Sequence, residues 1–157
     1  MQMNNNKKEK KIIGRAEIVR FPDLGERKVH ARIDSGAKTS AIWGEARLVD
    51  GTLLVKFFGL PEQIYKFTSY GETVVANSSG YAAKRFTIKL WVVLRGRKIR
   101  ATFTIADRSS QVYPVLIGRN VLRGKFIVDV TMGKTLTMAE KNRTASLRTL
   151  LEKEKLL

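Results

Sequence analysis

The chain has 157 residues, 43% of them hydrophobic, with 30 Lys and Arg against 14 Asp and Glu, a net charge of +16 and no cysteine. Such a length and composition suit one globular domain with its own core. They set aside an acidic disordered chain, a disulfide-stapled module and any thiolate metal site.

In chain order, residues 1–11 hold four Lys and one Glu among Asn and Gln, offer nothing to bury, and read as a disordered basic arm. The arm has the charge of a signal peptide without the apolar stretch behind it. The longest apolar run, residues 90–94, is five residues, against the roughly 18 of a membrane span. A soluble, cytoplasmic protein with no membrane contact is expected. From Ile12 onward, short apolar segments punctuated by Gly, Pro, Asn and Asp give the rhythm of an all-β domain spanning 12–138. Candidate strands are 16–20, 28–33, 53–58, 73–76, 113–117 and 125–131. The clearest hairpin sets Phe86, Ile88, Leu90, Val92 and Leu94 on one face, turns at Arg95-Gly96-Arg97, and repeats the alternation at Ile99, Ala101, Phe103 and Ile105. A short helical turn is expected at 120–122. Within the helical tail 139–157, Leu147, Leu150, Leu151 and Glu154 form a stripe able to dock on the domain or on a second subunit.

The arm and tail carry only +3 and +2, so +11 belongs to residues 12–138. Within 73–128 there are eleven basic residues and one acidic one, Asp107. That imbalance fits either a solvated surface or a polyanionic partner.

Motifs with chemistry are few. Gly133-Lys134-Thr135 ends like a phosphate-binding loop, but Val128 stands where its first glycine belongs, and 118–125 fails on spacing. A zinc site built on His30, the sole histidine, would need carboxylates almost throughout. No cofactor and no metal are therefore expected. No Gly-x-Ser-x-Gly elbow accompanies His30, which argues against a serine nucleophile. What stands out is Ile33-Asp34-Ser35-Gly36-Ala37, an apolar strand running into an acidic residue followed by small ones. The tripeptide alone reads equally as an Asx-type turn. As a site, Gly36 permits close backbone approach and the Ser35 hydroxyl can orient the carboxylate. Two such carboxylates brought together would share one proton, so that one serves as base on water and the other as acid.

Ala31-Arg32-Ile33-Asp34-Ser35-Gly36-Ala37, taken with Tyr113-Pro114-Val115-Leu116-Ile117-Gly118-Arg119-Asn120, resembles the retropepsin pattern of an Asp-Thr/Ser-Gly-Ala loop followed by apolar-apolar-Gly and Gly-Arg-Asn. With Lys38-Thr39-Ser40-Ala41, Asn77-Ser78-Ser79-Gly80, Lys84-Arg85, Asp107-Arg108-Ser109 and Phe126-Ile127-Val128-Asp129, it is similar to the bacterial and archaeal retropepsin-like family long labelled "ATP-dependent zinc protease". That family is associated with the ligase that adds glutamates to a small-subunit ribosomal protein. The resemblance covers roughly 12–131 and implies a closed, retropepsin-like β-barrel, one domain per chain, with aspartic peptidase activity. The family's label conflicts with the residues, which favour neither zinc nor ATP.

By this resemblance Asp34 is catalytic, Ser35, Gly36 and Ala37 form the active-site loop, and Leu116, Ile117 and Gly118 support it. One Asp-Ser-Gly per chain requires a homodimer with Asp34 near its two-fold axis. The position of Lys38 is commonly acidic in viral relatives and pairs there with the arginine matching Arg119; here both are basic. Two readings stay open: Lys38 and Arg119 bind acidic side chains of the substrate, or Arg119 is a buried ion-pair anchor, to Asp107 or Asp129. A flap is expected at 70–81. The expected substrate is an acidic or glutamate-rich polypeptide, such as a glutamylated ribosomal protein. The rival reading is a non-catalytic RNA- or ribosome-binding β-domain, in which 84–100 tracks phosphates and Trp91 or Phe103 stacks a base. A silent dimerisation module is a third. His30, Trp43 and Trp91 read as core, edge or interface residues.

Overall fold

Alternation of apolar residues builds the longest elements, because each strand buries every second side chain. The computed structural model describes residues 9–76, 79–133 and 137–155. Among these run β1 (Lys11–Ile13), β2 (Ala16–Phe21), β3 (Arg27–Ile33), β4 (Ser40–Val49), β5 (Thr52–Phe57), β6 (Tyr65–Phe67), β7 (Gly71–Ala76), β8 (Ala82–Leu94), β9 (Arg97–Ala106), β10 (Val115–Ile117) and β11 (Phe126–Val128). The helices are α1 (Arg119–Leu122) and α2 (Thr137–Lys155). Most residues of the basic arm, the tip of the expected flap at Asn77-Ser78, and Lys134-Thr135 lie outside the described residues.

Pairing in the order β10, β3, β2, β8, β9, β4 and back to β10 closes a six-stranded barrel. The fold is thus the closed β-barrel expected, with a helix at the C-terminal end. β5 and β6 extend outward from β4, and β7 forms a hairpin with β8. β1 pairs in parallel with β11 as a separate two-stranded sheet. Inside the barrel Ile88, Leu90, Val92 and Leu94 of β8 meet Ile99, Phe103 and Ile105 of β9, all buried. Phe21 and Phe103 pack edge to face at 5.5 Å and 74°; truncating either to Ala removes contacts worth about 3–5 kcal/mol. The β8–β9 turn is tighter than expected: Arg95 (φ 49°) and Gly96 (φ 77°) form it alone, with two left-handed residues matching the strand twist.

Several boundaries differ from the expected strands for local reasons. The last strand stops at Val128 because Asp129 turns the chain, its carboxylate accepting from the Thr131 N–H and hydroxyl at 2.9 and 2.6 Å. β5 ends before Phe58, whose φ of 58° leaves the strand. The stripe on α2 does not seat on the barrel, since Leu150 and Leu151 stay exposed. The helix is tied instead through Arg143, whose guanidinium donates to the carbonyls of Ser109 and Gln111.

Candidate active site

β3 delivers Asp34, and β10 determines how it is held. β10 runs parallel to β3 and antiparallel to β4, inserted between them. Past the strand ends the ladder continues into the loop. The Asp34 N–H donates to the Ile117 carbonyl at 2.8 Å, and the Arg119 N–H donates to the Ala37 carbonyl at 2.8 Å. The Ala37 N–H closes the turn onto the Asp34 carbonyl at 3.2 Å, while the Gly36 N–H donates to Asp34 Oδ1 at 3.0 Å. A backbone amide thus orients the carboxylate, and Ser35 contributes its carbonyl rather than its hydroxyl to the bonds described here. Asp34 is half-buried, Ser35 and Gly36 are exposed, Ala37 and Leu116 are half-buried, and Ile117 and Gly118 are buried.

Gly118 is where the two loops touch: a Cβ there would lie 2.2 Å from the Thr39 carbonyl oxygen and 2.9 Å from that of Ala37. Its N–H donates to the buried Ser40 hydroxyl at 2.9 Å; that hydroxyl donates to Asn120 Oδ1 at 2.7 Å, and Asn120 Nδ2 reaches the Thr102 carbonyl at 2.9 Å. The chain of bonds, buried at Ser40 and exposed at Asn120, fastens the start of β4 and the start of α1 to β9 beside the Asp34 loop.

Two cationic clefts flank this loop. One, of about 510 Å³, is lined by Arg15, Arg32, Ile33, Arg108, Tyr113 and Thr144 among others. Arg108 donates through Nε to the Tyr113 carbonyl at 2.9 Å. Burial depresses the pKa of its guanidinium, and the like charge of Arg32 adds to this, while the Asp34 carboxylate opposes both. Arg108 remains cationic all the same, so a partly desolvated positive group stands within electrostatic reach of Asp34. The other cleft, of about 410 Å³, brings Lys38 and Arg119 together with Asn120, Arg123 and Lys125. Arg119 is exposed there, and its Nη1 donates to the Ser35 and Gly36 carbonyls at 3.2 and 3.0 Å. It therefore clasps the Asp34 loop rather than pairing with Asp107 or Asp129, whose carboxylates accept from Ser109 and Thr131.

Sequence reasoning assigned no role to Arg15, Arg32 or Arg108, although Arg32 and Asp107-Arg108-Ser109 stood in the motifs. The available signal was Arg32, two residues before Asp34 and so on the same side of a strand. The expected flap coincides with the β7–β8 hairpin, where Val74 (64%) and Tyr81 (76%) are exposed. His30 is half-buried on β3 opposite Ile18, and Trp43 is half-buried on β4. Among the described residues no three or more His, Asp or Glu side chains are gathered so as to hold a metal ion. Among them, too, no helix is long and apolar enough to cross a membrane.

Residues 12–137 match the RimB-like family, described as retropepsin-like aspartic endopeptidase RimB. Proteins named "Probable alpha-L-glutamate ligase" from Desulfotalea psychrophila and Shewanella pealeana are each 32% identical over 130 and 128 residues, which is 76% and 75% of this chain. The chain spans 28% of the length of those relatives. A crystal structure of a protein of unknown function from Legionella pneumophila matches the fold with a TM-score of 0.60 at 21% identity, over 79% of this chain and 96% of that one. The chain belongs to the RimB-like family of retropepsin-like aspartic endopeptidases.

Proposed function

We propose, with that family membership as the premise, that the protein is a cytoplasmic aspartic peptidase that cleaves acidic, glutamate-rich polypeptides as a two-fold homodimer. Asp34 and Asp34 of the partner subunit form the dyad. Two carboxylates brought into contact cannot both ionise and so hold one proton between them. The ionised member takes a proton from water as the water oxygen bonds to the peptide carbonyl carbon. The protonated member donates to the carbonyl oxygen. As the tetrahedral intermediate collapses, the C–N bond breaks, the proton taken from water passes to the leaving nitrogen, and one hydroxyl of the intermediate returns its proton to the other carboxylate, which restores the shared proton. The β7–β8 hairpin serves as the flap.

The observation that carries this reading is Asp34 on a hydrogen-bonded loop beside a cleft holding Arg15, Arg32 and Arg108. Guanidinium groups suit carboxylates, because each offers a planar fork of donors. The relatives named "Probable alpha-L-glutamate ligase" support the substrate class, since a region similar to part of such proteins is suited to act on a glutamate-bearing polypeptide, for instance a glutamylated ribosomal protein.

The test incubates the protein and its Asp34→Asn variant with a peptide bearing an oligo-α-glutamate tail and with an uncharged peptide of equal length, reading products by mass. Cleavage of the acidic peptide is expected, falling about 10³-fold or more in the variant, with the protein sedimenting as a dimer. Full activity of Asp34→Asn, or cleavage by a species monomeric throughout, overturns the assignment.

A further inference from the structure

The outer face of the β8–β9 hairpin has no part in the reading above. Leu90 and Val92 point into the core, so Trp91 between them points out. The register sets Trp91 against Arg100, and Lys98 against Val93. Lys98 Nζ lies 4.8 Å from the Trp91 ring centroid, and the Arg100 guanidinium lies 5.6 Å from it. Lys89 and Thr102 complete the neighbourhood one step along the ladder. The strand is tied here, because the Trp91 backbone N–H donates to Asp23 Oδ2 at 2.8 Å where the pairing with β2 has ended.

Lys89, Lys98 and Arg100 are exposed, and residues 82–106 contain no acidic residue. The half-buried indole carries two exposed cations over its ring, and moving them onto phosphates would free a planar stacking surface beside positive charge, the pairing of features that single strands use. An acidic peptide would satisfy the cations but has no ring to lie on the indole. A bilayer would call for exposed apolar side chains beside the cations, whereas Lys89, Thr102 and the half-buried Val93 surround the ring.

We propose that this face binds single-stranded nucleic acid, one base stacking on Trp91 while Lys89, Lys98 and Arg100 meet the adjacent phosphates. Lys89, Trp91, Lys98 and Arg100 line neither of the clefts described beside the Asp34 loop, although Asn120 of the second cleft reaches the neighbouring Thr102 carbonyl. A strand bound there leaves the carboxylate open, so the protein can be carried on nucleic acid while it acts on a polypeptide.

The test measures fluorescence anisotropy of the full chain with labelled oligoadenylate of about 12 nucleotides, in ribo and deoxy forms to distinguish the two sources, and with the matching duplex. Affinity is expected to fall with salt. Lys98→Ala/Arg100→Ala, both exposed, should lower it about tenfold and reduce the logarithmic salt slope by roughly 1.4. Trp91→Ala should cost about tenfold or more, and Trp91→Phe much less, since stacking survives. In a Trp43→Phe background the remaining tryptophan emission should be quenched by the single strand. Asp34→Asn should bind as the parent does, and Lys98→Ala/Arg100→Ala should cleave peptide as the parent does, which separates this proposal from the peptidase one. Unchanged affinity in Lys98→Ala/Arg100→Ala, a duplex bound as tightly with no quenching, or displacement of the strand by equimolar oligoglutamate overturns it.

Discussion

The two clefts beside the Asp34 loop carry the same sign of charge and are built in opposite ways. In the first, Arg108 is partly buried, bound to the Tyr113 carbonyl, and within electrostatic reach of Asp34. In the second, Arg119 is exposed and spends its guanidinium on the carbonyls of Ser35 and Gly36. Burial and prior hydrogen bonds therefore decide what an arginine can do: the first group is set to receive an anion, the second to hold the loop that carries the carboxylate. The loop that Arg119 holds meets its neighbour at the Gly118 junction.

The largest effect is expected at that junction. Gly118→Ala places a Cβ 2.2 Å from the Thr39 carbonyl oxygen, and neither loop can retreat without breaking the bonds to Asp34 or Ala37. A loss of about 3 kcal/mol is expected, read as a fall in Tm of about 10 °C, with peptide cleavage lost as well. An unchanged melt would mean that the two loops are not packed as described. Next, Arg108→Gln should raise KM for a glutamate-rich peptide about tenfold or more, with kcat little changed and an uncharged peptide unaffected, because a partly desolvated charge–carboxylate bond is removed. Arg119→Gln should do the reverse, lowering kcat several-fold for both peptides at nearly constant KM, since it slackens the loop rather than a binding contact. If both variants shift the same kinetic parameter, the contrast between the clefts fails.

The smallest effect concerns the loop that presents Arg108. Asp107 is held below its ordinary 3.8 chiefly by the hydrogen bonds from Ser109, side chain first and backbone next. A depressed carboxylate stabilises the fold above its unfolded pKa and ceases to do so as pH falls through its folded value. Asp107→Ala should therefore cost about 0.5 kcal/mol near neutrality, a small amount because the group is exposed. The difference in Tm between parent and variant should close below about pH 4. A gap that persists at pH 2 would place the role of Asp107 elsewhere.

Much of the barrel was legible where one face is buried along its whole length. The 86–105 alternation gave β8 and β9 because eight of its inward positions lie in one core. β4 gave no such signal. Gly44 interrupts it, and a Cβ there would meet Ile105 Cγ2 at 3.1 Å and the Lys56 carbonyl at 3.3 Å; the strand is read from how closely its neighbours approach. β1 is three residues whose partners, Phe126 to Val128, lie at the other end of the chain, so local pattern could not identify it. Asp34 was legible because its chemistry is local: a strand end, an acid and two small residues. The Ser40–Asn120 pair was not, since its members become neighbours only when β4 and α1 meet.

By itself the sequence determined an all-β chain, an Asp-Ser-Gly loop as its candidate catalytic feature, and a positive charge resident in the domain rather than in its ends. Period-two alternation and turn chemistry act over a few residues, so they can be read in one dimension. Tertiary structure decided where the charge stands. Barrel closure gathers Arg15, Arg32 and Arg108 from three separate segments beside Asp34, turns Arg119 onto the loop, and leaves Lys98 and Arg100 around an outward Trp91. Electrostatic strength depends on distance and burial, and both come into being only when the barrel closes.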